Sequence, residues 1–539
     1  MALFPPGLTR KGNVANKEQN GMNASGRKNL ESLSIGILLG VILAWASNGF
    51  GLTWDETIYF KYSDTIRDWF LNHRSFEPSV LRAYWNYSSY HNPHPPFMKI
   101  LNAFSSAVFS GLLPFPTSYR MANIVFVSSC AALTWRLLRT SFSGLMVTAA
   151  ICFICLQPRV FGHLMIAATD SPVAMAWLVL TLIAWRLDRT SVTVHRPILR
   201  LLLFTFLAMA GATKITGFMA VIPLAAYFLF QKNFRELRWL AAAALFGLVV
   251  IPLISPNEWT HPLSAIGDFL LYPFLRSKQA ISTFYLGRIY KFYLPWHYFL
   301  VMTAVTYPVI LLFLLSGLVN IRKVACHGLI RAILFPVGFW LILAHVPTTP
   351  KHDGIRQLLS IYPLIGLLSW FGLMGWLEAI KQAPPSRGRS LLQIFSIPVI
   401  LCILAFGVFR CHPFELSYYN CLIGGIRGAE KKGFELTYYL EAITPEFLNR
   451  LNPYLDNGKT VYLMPPWPLL LRQYAEHGVL TGNFSQPALG TETTIDYLLI
   501  LRRRGYVSDA LYKAVTPLEE VTYNGVSLVK FYESPNSKK

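Results

Sequence analysis

Residues 33–56 read LSIGILLGVILAWASNGFGLTWDE. The apolar run up to Thr53 is long enough to cross the roughly 30 Å of a bilayer's hydrocarbon as a helix, and it closes on Trp54-Asp55-Glu56, two carboxylates at the membrane boundary. Comparable runs lie near 119–139, 142–157, 171–187, 198–212, 214–231, 238–254, 297–320, 331–346, 358–379 and 391–409. The chain is therefore expected to be a polytopic α-helical membrane protein with about eleven transmembrane helices. Composition agrees: of 539 residues, 53% are hydrophobic and 14% charged, against roughly 25% charged in soluble domains. An ordinary soluble enzyme is excluded.

Residues 1–32 are polar and basic (Arg10, Lys11, Lys17, Arg27, Lys28) and carry no signal-peptide cleavage pattern, so they are expected to form a disordered cytoplasmic tail. The apolar stretch Phe97 to Leu113 decides the sidedness of everything after it. If it lies along the surface, the basic clusters Arg136/Arg139, Arg186/Arg189/Arg196/Arg200, Lys232/Arg235/Arg238, Arg322/Lys323/Arg331 and Lys381/Arg387/Arg389 all face the cytoplasm, as the positive-inside rule requires. That reading gives a membrane domain over 33–410, with outer loops at 54–118, 158–170, 255–296 and 347–357, and an extracytoplasmic segment over 411–539. In the first outer loop, Ile58, Tyr59, Tyr62, Ile66 and Trp69 have the spacing of a juxtamembrane helix. The tail alternates strand-like runs at 460–463, 497–501 and 526–532 with helix-like stretches at 467–477 and 507–515, the pattern of a small α/β domain.

Lysine and arginine number 48 against 27 acidic residues, a net charge of +21. In a membrane chain this points to membrane lipids and phosphate-bearing ligands, with no nucleic acid called for. The seven cysteines are too few for a disulfide scaffold; Cys411 and Cys421 are the one pair worth testing. Asp55 and Asp170, the latter in Thr169-Asp170-Ser171-Pro172, can each serve simply as helix caps. Both nevertheless fall on the same outer boundary, where ionisable groups tend to be functional. Cations fall at the same depth: His94 and Lys99, Arg159, Lys214, and Lys351, His352 and Arg356 in the late loop. Snorkelling or pairing with a neighbouring acid accounts for any one of them. Together they suit a phosphate, which arginine grips bidentately and lysine as a point charge. The aromatic and basic loop 255–296 reads either as an interfacial belt or as a gate over a lipid-phosphate groove.

Trp54-Asp55-Glu56, His94-Pro95-Pro96, Thr169-Asp170-Ser171-Pro172 and Thr213-Lys214 resemble motifs of the GT-C superfamily of polyprenyl-phosphate-sugar-dependent glycosyltransferases. Within it they are similar to the branch of protein O-mannosyltransferases and the lipid A aminoarabinose transferase, over about residues 30 to 410. The resemblance implies that Asp55 is the general base or acceptor-orienting acid, Asp170 the second acid and Lys214 the donor-phosphate ligand. It makes Arg356 the best candidate for a second phosphate contact. The segment from His412 to Glu435 resembles bacterial members of that branch, which implies a bacterial inner membrane. β-Trefoil repeats and a Trp-Trp-Asp-Tyr-Gly motif are lacking from the sequence, which speaks against protein mannosylation and asparagine glycosylation.

The expected function is transfer of a sugar from a polyprenyl-phosphate donor to a hydroxyl of an extracytoplasmic acceptor, with inversion. Asp55, Glu56 and Asp170 would form the catalytic set. Lys214, Arg356, His94, Lys99, Arg159 and His352 would serve the donor phosphate. No metal or cofactor is required in this reading. A relative dependent on a divalent cation would use Asp55, Glu56, Asp170 and His94 or His163 as ligands. The alternative from another class is a transporter or flippase of a lipid-linked sugar, against which stands the lack of a matching half-repeat.

Overall fold

The computed structural model describes residues 14–86, 92, 94–189, 195–276, 280–323, 327–382, 384–455, 458–482, 484–485, 495–513 and 516–534. Residues 1–13 of the expected tail lie outside them. From Val14 onward the chain is helical, not disordered: Val14–Ser47 is one helix. No proline interrupts Val14–Ser47, so the helix of the span continues back through the polar segment.

Eight helices among the described residues are long and apolar enough to span a membrane: Gly26–Ser47, Thr117–Leu138, Asp170–Arg189, Arg196–Thr213, Phe234–Leu253, Gly328–His345, Arg356–Gln382 and Arg387–Cys411. Two expected straight spans are broken. Gly144–Cys155 turns by 81° into Pro158–Met165, and Tyr298–Thr306 turns by 113° into Val309–Ile321. At each break stands a proline, Pro158 or Pro308, which lacks the amide a continuing helix needs. The expected span 214–231 is also interrupted, as Ile215–Phe218 and Val221–Phe230. The apolar stretch after Pro96 is a 13-residue helix, Phe97–Phe109, about 20 Å long and too short to cross. It packs beside Trp54–Asp68 and Pro78–Trp85, so the first long loop is built of juxtamembrane helices.

Phe97–Phe109 and Thr117–Leu138 pack together, as do Val14–Ser47 and Thr117–Leu138, while Asp170–Arg189 runs through the centre with nearly every side chain buried. Two short strands, β1 (Thr283–Tyr285) and β2 (Arg288–Tyr290), form a hairpin in the loop after Pro262–Arg276. Near the C-terminus lies a five-stranded sheet of β3 (Lys459–Met464), β4 (Phe484–Ser485), β5 (Tyr497–Leu501), β6 (Glu519–Tyr523) and β7 (Val526–Glu533). Its order is β4-β3-β5-β7-β6, with β3 parallel to β4 and β5, and β7 antiparallel to β5 and β6. Asn524 and Gly525 turn β6 into β7, both at positive φ (48° and 74°), the signature of a tight hairpin. The helix Pro468–Glu476 of this domain docks on Trp54–Asp68: Trp467 donates to the Thr57 hydroxyl and Gln473 to the Thr57 carbonyl, each at 2.8 Å. Cys411 and Cys421 are free thiols.

Candidate functional site

Thr53 caps the helix Trp54–Asp68 through a reciprocal capping box with Glu56, and this orients the first turn. Glu56 and Asp55, adjacent in sequence, therefore point to different neighbours. Glu56 is wholly buried. Its carboxylate takes Arg120 Nε at 2.7 Å and Nη2 at 2.9 Å, and accepts the Ala167 amide at 2.9 Å. Glu56, expected in the catalytic set, thus has both carboxylate oxygens engaged by Arg120, Thr53 and the Ala167 amide. Arg120 also donates to the carbonyls of Ser47, Phe50 and Gly51, tying the end of the first span to the helix Thr117–Leu138.

Asp55 turns the other way. One of its oxygens accepts from Arg356 Nη2 and, at 3.2 Å, from the Tyr439 hydroxyl. Arg356 is the hub of the site. Its Nε reaches Asp170 at 2.9 Å, its Nη1 reaches Asp353 at 2.8 Å, and its guanidinium lies 4.3 Å from the Tyr439 ring centroid. Asp170 opens the central helix, and its second oxygen takes Lys214 Nζ at 2.6 Å. Lys214 is extended (φ −163°, ψ 147°), which breaks the helical run exactly where the side chain must turn inward. Asp353 and Gly354 both have positive φ (61° and 67°). A Cβ on Gly354 would come within 2.7 Å of Arg159 Nη1 on a left-handed backbone, so glycine suits this turn.

Burial pushes the Asp55 carboxyl above its ordinary range, more strongly than Arg356 beside it pulls it down; the nearby Asp170 and Asp353 charges add to the rise. Asp353 is also buried, but Arg503, His352 and Arg356 outweigh that and hold its carboxyl below the ordinary range.

The other expected phosphate ligands divide. His94 lines the same cavity as Lys214 and Arg356. Lys99 is buried beneath it and donates to the His94 carbonyl at 2.8 Å. Arg159 is stacked between Tyr419 and Tyr438 (4.7 and 5.1 Å) and donates to the Tyr418 carbonyl. His352 meets Gln357 at 2.9 Å and stands beside Asp353. The three acids of a divalent-cation site do not converge on one point either, since Asp55 and Asp170 surround Arg356 and Glu56 surrounds Arg120.

The cavity has a volume of about 560 Å³. Lys214, Arg356, Gln357 and His94 form its polar part, while Ile222, Leu270, Phe274, Trp340 and Leu343 give the remainder an apolar wall. Leu270 and Phe274 come from the loop 255–296, which thus stands over the groove as a wall.

Arg120, Asp353, Tyr439 and Arg503 were not assigned roles from sequence. A charge inside the apolar run 119–139 was a signal for Arg120, and Arg502-Arg503-Arg504 directly after a strand-like run was one for Arg503. Nothing in the sequence singled out Tyr439.

No protein-family model and no curated protein matches the chain. Among solved structures it is similar to ArnT from Cupriavidus metallidurans in the apo state, at 13% identity, with 93% of this chain and 97% of that chain covered and a TM-score of 0.50. The same protein bound to undecaprenyl phosphate matches at 12% identity, with the same coverage and TM-score. An oligosaccharyltransferase from Archaeoglobus fulgidus in the apo form gives 11% identity over 88% of this chain and 69% of that one, with a TM-score of 0.47. The chain therefore shares the fold of ArnT along nearly its whole length, and eight of its helices among the described residues are long and apolar enough to cross a membrane.

Proposed function

We propose that this chain is a membrane glycosyltransferase that moves a hexosyl or pentosyl group from a polyprenyl-phosphate donor to a hydroxyl of an extracytoplasmic acceptor. The observation that carries the reading is that Lys214 and Arg356 close the polar end of an otherwise apolar groove, while Arg356 also touches Asp55. A lipid phosphate fits such a groove with its phosphate at the cations and its isoprenoid chain along the apolar wall. ArnT has been crystallised with undecaprenyl phosphate, which supports a ligand of this class.

In the reaction the acceptor oxygen bonds to the anomeric carbon from the face opposite the phosphate, and its proton passes to Asp55. The C1–O bond to phosphate breaks, and its electron pair stays on the polyprenyl phosphate. The sugar's configuration inverts. The phosphate gains negative charge as the bond breaks, so Lys214 and Arg356 interact with it more strongly in the transition state than before. Donor binding also frees the base: a phosphate drawing Arg356 toward itself takes that guanidinium off Asp55. Asp170 holds Lys214 and Arg356 on one side of the phosphate. The N-terminus is placed in the cytoplasm, and the site, with residues 411–539, on the outer face of a bacterial inner membrane, where the acceptor lies.

Purified protein in lipid nanodiscs, given lipid-linked sugars and a membrane extract as acceptor, is expected to transfer sugar and to lose that activity in Lys214→Ala. Movement of the lipid across the bilayer with the glycosidic bond intact would favour a flippase instead.

A further inference from the structure

The C-terminal domain does more than cover the membrane helices. Arg503, just after β5, is buried, and its guanidinium makes three contacts away from its own sheet. It donates to the Tyr438 carbonyl, it lies 4.0 Å from the ring centroid of Trp54, the residue before Asp55, and its Nη2 meets Asp353 Oδ1 at 2.8 Å. The other oxygen of that carboxylate meets Arg356 Nη1, also at 2.8 Å. Asp353 thus bridges one arginine of the C-terminal domain and the arginine at the hub of the site.

We propose that Arg503 is a positioning residue of the donor-phosphate site, acting through Asp353 to hold Arg356 in place and to balance the charge around it. The inference rests on the donor reading given above and assigns the C-terminal domain a part in it. Direct contacts link three carboxylates (Asp55, Asp170, Asp353) with three cations (Lys214, Arg356, Arg503). With Arg503 removed, three carboxylates face only Lys214 and Arg356 in this cluster, and an incoming phosphate meets an Arg356 drawn more strongly toward Asp353. The neighbouring arginines serve other contacts: Arg502 pairs with Glu430 at 2.5 Å, and Arg504 with Asp509 at 2.7 Å. Of the three consecutive arginines, Arg503 is the one that reaches the site.

The test is undecaprenyl phosphate binding to the full-length protein in nanodiscs. Arg503→Gln is expected to weaken binding at least about tenfold, and Arg503→Lys to keep it within about threefold of the unaltered protein, because the charge is retained. The decisive variant is Arg503→Gln combined with Asp353→Asn. If charge balance is the mechanism, removing the stranded carboxylate restores at least about threefold of what Arg503→Gln lost. If Arg503 merely docks the domain, the second substitution removes a further contact and binding stays as weak or weaker, which overturns the inference. Equal binding by the unaltered protein and Arg503→Gln overturns it as well. Absence of binding by the unaltered protein would instead overturn the donor reading itself, and this inference with it.

Discussion

Asp55 and Glu56 are adjacent carboxylates with separate duties, and the capping box at Thr53 is what separates them. One turn of helix directs Glu56 into a buried ion pair with Arg120 and leaves Asp55 at the hub arginine. Asp55→Asn keeps the shape and removes the base, so transfer should fall by at least about a hundredfold while undecaprenyl phosphate binding stays within about threefold; a variant retaining most of its turnover would remove Asp55 from the chemistry. Its pH dependence is equally specific. The base acts when ionised, so activity is present above its pKa and is lost as pH falls through it. Because burial raises that pKa, the acid limb of the rate profile should lie above the ordinary aspartate value of about 3.9. A limb at or below that value would contradict the assignment. Lys214→Ala should lower turnover by more than about tenfold, since a charge-assisted contact to a leaving group is worth on the order of 2–4 kcal/mol.

At the scale of elements, breaks in helices aim the site's side chains. Lys214 stands at an extended residue between two helices, and Asp353 in a turn of two left-handed residues before the helix that carries Arg356. Hydropathy locates such segments but is blind to direction, so the apolar runs 142–157 and 297–320 read as straight spans although Pro158 and Pro308 turn them sharply. The strands at 460–463, 497–501 and 526–532 are legible as short apolar runs carrying β-branched or aromatic residues. Strand β6, rich in polar residues, was missed despite the Asn524-Gly525 turn that follows it. The pair Glu56–Arg120 fastens the first span, the juxtamembrane helix and Thr117–Leu138 to one another. Arg120→Ala strands a buried carboxylate and should cost about 3–5 kcal/mol, measurable as a lowered midpoint of thermal unfolding in detergent. An unchanged midpoint would refute the framework role.

For the whole molecule, membrane architecture and one side of the site could be read from sequence. Asp55, Asp170, Lys214 and Arg356, spread over three hundred residues, meet in one cluster, because apolar runs and charges at their ends constrain where a membrane chain can place ionisable groups. The contribution of the C-terminal domain was not legible. Tyr439 and Arg503 reach the cluster through tertiary contacts that leave no local pattern. Arg159 and Glu56 lie at the same depth but spend their charges on Tyr419 and Arg120, a pairing that depth alone does not reveal. A chain ending after residue 410 lacks both Tyr439 and Arg503 and should be inactive even if its helices insert. Full activity of that truncation would mean that the membrane domain works alone.

The central claim is that Lys214, Arg356 and Asp55 form one device for releasing a polyprenyl phosphate from a sugar. The direct measurement is the release of free polyprenyl phosphate from a panel of lipid-linked sugars by purified protein in nanodiscs, with membrane acceptors present and Asp55→Asn alongside. The account predicts release by the unaltered protein only, with the sugar recovered on an acceptor in inverted configuration. No release from any donor, or equal release by Asp55→Asn, would contradict it.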